Sequence, residues 1–131
     1  TTNTAVNPVS TLDAVGAVYS SMGDSHTWTS SGGTTMIIVD QGYTIAGGGQ
    51  STSTGRWRVQ DITGTPVTIF DPFDGVAFAG TNAEFPNDWF GTECHTFLYT
   101  PASGSRTIEL QWNTSDGQAT IRRLEWTTIE Y

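Results

Sequence analysis

Lysine is absent from this chain of 131 residues, and its only long cations are Arg56, Arg58, Arg106, Arg122 and Arg123. Thirteen acidic residues stand against these five, for a formal net charge of −8. Nucleic-acid affinity rests on clustered Lys and Arg that release counterions, so this deficit argues against a nucleic-acid partner. Cysteine is almost absent as well: Cys94 has no second thiol, which excludes an intrachain disulfide, and a free Cys of this kind is expected to be buried. Long apolar runs are missing. The longest, Met36 to Val39, is far too short to cross a bilayer as a helix, so no membrane insertion is expected. The first ten residues show neither a basic n-region nor an apolar h-region, and synthesis in a cytoplasm is the expectation.

Good helix formers are scarce, and no segment repeats its apolar residues at the helical period. Thr and Ser instead make up about a quarter of the chain, and 15 residues are Gly. Thr and aromatics suit pleated, half-exposed surfaces, and short alternating segments between Gly, Pro and Asp turns read as strands. The fold class is therefore all-β, an antiparallel two-sheet sandwich, jelly roll or barrel. Residues 1–13 are polar and read as an extended N-terminal arm. Residues 14–131 read as one β-sandwich domain, large enough for a core without disulfide or metal support.

Val15 to Ser20 is a first strand candidate, Gly23-Asp24-Ser25 a turn, and His26 to Thr29 a short extended piece. Thr34 to Asp40 and Gly42 to Ala46 read as two strands, followed by a Gly- and Ser-rich loop from 47 to 55. That loop lacks the Lys and helix start of a phosphate cradle. In Arg56 to Ile62 the alternation puts Trp57, Val59 and Asp61 on one side. The last 25 residues carry the clearest pattern. Ile108, Leu110 and Trp112 share a face, Asp116-Gly117 supplies a turn, and Ala119 to Tyr131 follow, which reads as a β-hairpin with a docked end. The apolar phase slips at Arg122-Arg123 and again at Thr127-Thr128, each slip predicting a bulge.

Chemistry-bearing groups are sparse. Cys94 and His95 are adjacent, so on a strand they point to opposite faces and serve neither as a dyad nor as joint metal ligands. His26 is remote in sequence. Asp71, Asp74, Asn82 and Asp88 lack the ligand spacing of a calcium loop and read as turn residues. No Gly-x-Ser-x-Gly elbow exists, and nothing selects a carboxylate pair. No catalytic residue, metal ligand or cofactor is assigned. Recognition remains: Phe85, Trp89 and Phe90 lie in a Pro-, Asn- and Gly-rich stretch, where aromatics would either stack on a sugar or partner surface or cap the sandwich. Trp57, Trp112 and Trp126 alternate on strands as core or interface residues.

The pattern Ile108-x-Leu110-x-Trp112, a polar turn with Gly117, Ala119-Thr120-Ile121, then Leu124 and Ile129-Glu130 resembles the closing strands of small phage virion domains. Those domains have the trimeric jelly-roll fold shared with the C1q and tumour-necrosis-factor families, and the match covers about a fifth of the chain. The resemblance implies a non-enzymatic homotrimer of a tailed-phage virion, a minor tail protein near the host-contacting tip or a capsid decoration protein on the head. It places Trp126, Ile129 and Tyr131 at or near the trimer interface, with the arm meeting other virion proteins and the loops meeting a host surface glycan or protein. From another class, a monomeric carbohydrate-binding module fits the same composition.

Overall fold

The computed structural model describes residues 2–7, 10–12, 19–46, 52–72, 78–82, 89–114 and 118–131, with side-chain environments for 19, 21, 25–44, 56–72, 91–113 and 121–131. Every regular element among the described residues is a strand: β1 (Thr2–Asn7), β2 (Ser10–Leu12), β3 (Ser20–Ser30), β4 (Thr35–Ala46), β5 (Thr52–Asp61), β6 (Val67–Phe70), β7 (Phe78–Asn82), β8 (Trp89–Tyr99), β9 (Gly104–Thr114) and β10 (Gln118–Glu130). They form two antiparallel sheets. The first runs β1-β10-β4-β8, with β2 also on β10, and the second runs β3-β9-β5-β6, with β7 also on β5. The chain crosses between sheets from β2 to β3, β3 to β4, β4 to β5, β7 to β8, β8 to β9 and β9 to β10, which is the winding of a jelly roll.

One correction concerns the ending. β9 and β10 are not paired as a hairpin; they lie in different sheets and face each other across the core. The physical reason is in their side chains. Ile108, Leu110 and Trp112 on β9 and Ile121, Leu124 and Trp126 on β10 are all fully buried, and two such apolar strand faces bury more by opposing each other than by lying side by side. Trp57 and Val59 of β5 and Ile37 and Val39 of β4 complete the centre, each large side chain contributing on the order of 2 kcal/mol. Some polar groups admitted to this core are paired: Trp112 Nε1 donates to Gln41 Oε1 at 3.2 Å, and Trp57 Nε1 donates to Glu93 Oε2, whereas the buried Trp28 Nε1, Trp126 Nε1 and Gln41 Nε2 have no hydrogen-bond partner among the described residues.

The predicted slip at Arg122 is present as a register shift between Ile121 and Arg123. The slip at Thr127-Thr128 is absent. Pairing with β4 runs without interruption from Arg123 to Glu130, so Thr128 points inward below Trp126 while Ile129 points out. The pieces expected at 34–40 and 42–46 are one strand, and Gly23 to Ser25 lie within β3, whose register against β9 is irregular between Ser21 and Ser25. The expected strand at Val15 to Val18 lies outside the described residues. Within the polar N-terminal segment, residues 2–7 and 10–12 are strands. Its course, however, follows its own chain: Thr2 to Asn7 pair with Ile129 to Leu124, and Ser10 to Leu12 with Ile121 to Ala119.

The end of β10 is held by the β3–β4 turn. Glu130 Oε1 accepts from Ser31 N at 2.9 Å, Ser31 Oγ at 2.7 Å, Gly33 N at 3.0 Å and Ser30 Oγ at 3.3 Å. Hydrogen bonds from Ser31 lead the causes that lower the carboxyl pKa. Gly32 turns at φ +94°, and a Cβ on Gly33 would stand 3.0 Å from the Tyr131 carbonyl oxygen, so the turn needs both glycines. Tyr131 N then donates to Thr34 O at 2.9 Å. Glu130→Ala is expected to expose the Tyr131 amide to fast hydrogen exchange while amides at Ile37 and Trp126 keep their protection. Unchanged exchange at Tyr131 would show that strand pairing alone holds the end.

Candidate functional site

The structure disperses the residue types that carry chemistry. Cys94 is exposed on the outer side of β8 opposite Asp40, which corrects the expectation of a buried thiol: its strand position faces away from the core. His95 points the other way and packs against Trp57 and Phe70, with ring centroids at 5.1 and 5.7 Å. His26 lies deep in the core. Among the described residues no three His, Cys, Asp or Glu side chains gather as a metal cage. Phe85, Asp74 and Asp88 lie outside the described residues. Trp89 and Phe90 have described backbones only, opposite Ile45 and Thr44 at the start of β8.

The three residues assigned to an interface divide. Trp126 has no exposed surface and is stacked against His26 at 6.2 Å, so it belongs to the core of a single chain and cannot meet a second one. Ile129 and Tyr131 do lie on the outside. Across the outer face of the first sheet, Ile129 stands opposite Met36 and Met36 opposite Leu98, giving an apolar row over three strands. Ile38 follows it on β4, between Thr127 and Thr96. Leu98 is 65% exposed and Tyr131 75%, and the Tyr131 hydroxyl reaches Met36 Sδ at 3.7 Å. Beyond the row the face turns polar with the bidentate pair of Arg123 and Asp40, at 2.8 and 2.9 Å.

The outer face of the second sheet is of opposite character. Arg58 and Gln111 face each other on β5 and β9, as do Gln60 and Glu109, and Gln60 also faces Thr68 on β6. Their side chains form one hydrogen-bonded array. Arg58 Nε donates to Gln111 Oε1 at 2.9 Å; Gln111 Nε2 donates to Gln60 Oε1 at 3.1 Å and to Glu109 Oε1 at 2.7 Å; Gln60 Nε2 donates to Thr68 Oγ1 at 3.1 Å. Ser21 Oγ donates to Glu109 Oε2 at 2.8 Å. The Arg58 guanidinium lies 4.0 Å over the Tyr19 ring, and that of Arg56 lies 5.1 Å away. Burial leads the causes that raise the Tyr19 pKa, so the ring stays a neutral phenol beneath the two cations. These outward residues alternate with the core residues Trp57, Val59, Leu110 and Trp112, and the alternation is visible in the sequence. Which of them become neighbours depends on register between strands about fifty residues apart, and no sequence signal supplies it.

A third cluster closes one end of the sandwich. Asp61, 4% exposed, accepts from the Tyr99 hydroxyl, from Arg106 Nη2 at 2.6 Å and from Thr63 N at 2.9 Å. Burial pushes its pKa up, but the hydrogen bonds from Tyr99, Thr63 and Arg106 outweigh burial and hold it at about 2. An open cavity of about 340 Å³ adjoins this pair beside Gly64, Thr65 and Val67. The cluster is a charge-neutral structural lock: every oxygen of the carboxylate already has a donor.

No protein-family model matches the sequence, and no curated protein matches it as a relative. Solved structures are similar to it only at very low identity and low TM-score. Dimeric latent PorU from Porphyromonas gingivalis matches at 9% identity and a TM-score of 0.49, over 98% of this chain but only 13% of the PorU chain. The CBM22-1 xylan-binding domain of Xyn10C from Paenibacillus barcinonensis matches at 9% identity and 0.43, over 97% and 96% of the two chains. A family 35 carbohydrate binding module from Clostridium thermocellum matches at 10% identity and 0.35, over 94% and 90%. All three scores lie under 0.5 and decide nothing about the site.

Proposed function

We propose that this chain is a non-enzymatic assembly subunit that associates with copies of itself, as a homotrimer, through the outer face of the β1-β10-β4-β8 sheet. The observation that carries the reading is the outward apolar row Leu98–Met36–Ile129, of which Leu98 is exposed and Met36 and Ile129 half-buried, with the exposed Tyr131 beside it. Large apolar side chains scattered singly over a surface need no explanation, but contiguous ones rimmed by polar residues mark an interaction face. A second copy is the occupant we favour because the row lies on the last strand and its neighbours, where the sequence resembles the closing strands of trimeric virion jelly rolls. In that role the protein serves a tailed-phage virion, as a minor tail protein or as a decoration protein on the head, assembled in the host cytoplasm. Other virion proteins and a host surface are then its further partners.

The experiment is molar mass in solution, by light scattering, for the native chain and for Leu98→Asp. The native chain is expected at three times its monomer mass. The variant is expected as a folded monomer, since Leu98 contributes little to the core of its own chain and a charge there meets apolar surface only in the assembly. Loss of a central apolar anchor commonly costs about 2 kcal/mol or more, roughly thirtyfold in affinity per contact. A native chain that is monomeric at micromolar concentration would sink the reading and leave the rival, a monomeric carbohydrate-binding module. The polar outer face of the second sheet is the observation that favours that rival.

A further inference from the structure

The polar array on the outer face of the β3-β9-β5-β6 sheet takes no part in the assembly proposed above. We infer that it is a binding surface for a neutral polyhydroxylated chain, a glycan, read by Arg58, Gln111, Glu109 and Thr68, with the buried Gln60, bonded to Gln111 and Thr68, and Tyr19 as positioning residues. The inference holds for a monomer as for a trimer.

Four features of the array point to that ligand class. The first is its composition, since guanidinium, amide, carboxylate and hydroxyl groups alternate as donors and acceptors on three neighbouring strands. Sugar hydroxyls are at once donors and acceptors, and a vicinal pair of them meets a planar fork with two bonds. The second is preorganisation. Each side chain is held by its neighbour, and the Tyr19 ring supports the Arg58 guanidinium from one side, so little rotamer freedom remains to be lost on binding. The third is unspent capacity: Arg58 donates through Nε to Gln111, and among the described residues no acceptor is bonded to either of its Nη groups. The fourth is charge. Arg56 and Arg58 are offset by Glu109 and by Asp71, which acts on Tyr19 electrostatically, so among the described residues the array carries no net sign for an ionic ligand. The chain as a whole, at −8, repels polyanions.

The test titrates the whole chain with soluble neutral hexasaccharides, β-1,4-linked glucose, xylose and mannose and α-1,4-linked glucose, and with a uronic-acid oligomer. Binding is followed by calorimetry and by NMR of the Gln60 and Gln111 side-chain amides. At least one neutral oligomer is expected to bind and shift those amides. Arg58→Ala should weaken it about tenfold or more, Thr68→Val by less, and Arg123→Ala on the opposite sheet not at all. No binding by any neutral oligomer at millimolar concentration would overturn the inference. So would affinity unchanged in both Arg58→Ala and Thr68→Val, or a clear preference for the uronic-acid oligomer. Should Arg58→Ala fail to fold, the exposed Thr68→Val and the amide shifts decide the matter. Molar mass is measured on the same samples, so loss of the trimer and loss of glycan binding register separately.

Discussion

Replacing Asp61 with Ala is expected to cost about 3–5 kcal/mol of folding stability, a large share of the 5–15 kcal/mol typical of a domain. The effect follows from what is left behind. Arg106, whose side chain is only 19% exposed, would keep its charge with no carboxylate to meet it, and the Tyr99 hydroxyl would lose its acceptor. Denaturant unfolding measures the loss. Adding Arg106→Leu should restore part of it, because an empty apolar site is cheaper than an unpaired charge, and the double-mutant cycle reports the coupling. The same pair governs acid behaviour. The Asp61 carboxyl is held at about 2 in the fold, below its ordinary 3.8, so its stabilisation is complete above pH ~4 and drains away as pH falls toward 2. A cost under about 1 kcal/mol would mean that solvent relieves Arg106.

His26 sets a second acid limit, at higher pH. Its ring is 3% exposed, lies between Trp28 and Trp126 at 6.0 and 6.2 Å with interplanar angles of 18° and 17°, and places Nε2 3.3 Å from Thr128 Oγ1. Burial lowers its pKa below the ordinary 6.5. The unfolded chain therefore takes up a proton that the folded chain refuses, so stability is full above pH ~6.5 and declines as pH drops below it, by at most about 1.4 kcal/mol per unit. Thermal melts between pH 7 and 5 should fall by several degrees for the native chain and stay nearly level for His26→Gln, whose side chain is neutral throughout. Equal slopes in the two proteins would assign the decline to carboxylates instead. The two limits set in at different points, that of His26 below pH ~6.5 and that of Asp61 below pH ~4.

How much of this was legible in the sequence differs from element to element. The all-β class, the inward Trp57–Val59–Asp61 face and the bulge at Arg122 follow from composition and period, because burial on one side of a strand writes itself into alternate residues. Opposite directions for Cys94 and His95 follow from the same rule. Pairing does not. The segment from Thr107 to Tyr131 has the look of a hairpin, and only the presence of a complementary apolar face on each strand separates side-by-side pairing from opposition across a core. The apparent slip at Thr127-Thr128 misleads for a related reason. Thr128 takes an inward position that an apolar residue would ordinarily fill, its hydroxyl lying beside His26, and Ile129 takes an outward one. The outward Ile129, half-buried beside Met36, breaks the alternation that an inward apolar residue would have kept. The array around Arg58 and Gln111 was beyond reach because it exists only once β5 and β9 are in register.

β10 lies between β4 on one side and β1 and β2 on the other, with Thr2 opposite Ile129 and Thr35 opposite Glu130. During synthesis this places the central strand of the first sheet last in time. Until it arrives, β1 and β2 have no strand to pair with, β4 keeps one ladder edge open, and the inward faces of β5 and β9 lack the cover that Leu124 and Trp126 provide. The pairings of β10 with β1, β2 and β4 then form last, and those with β1 and β2 span nearly the whole chain, so loop closure adds to the barrier and folding is slow, on the millisecond-to-second scale. A nascent chain of this topology waits with an exposed sheet edge beside an apolar surface. Its yield in a cell is set by how well that interval is protected, more than by the stability of the finished sandwich.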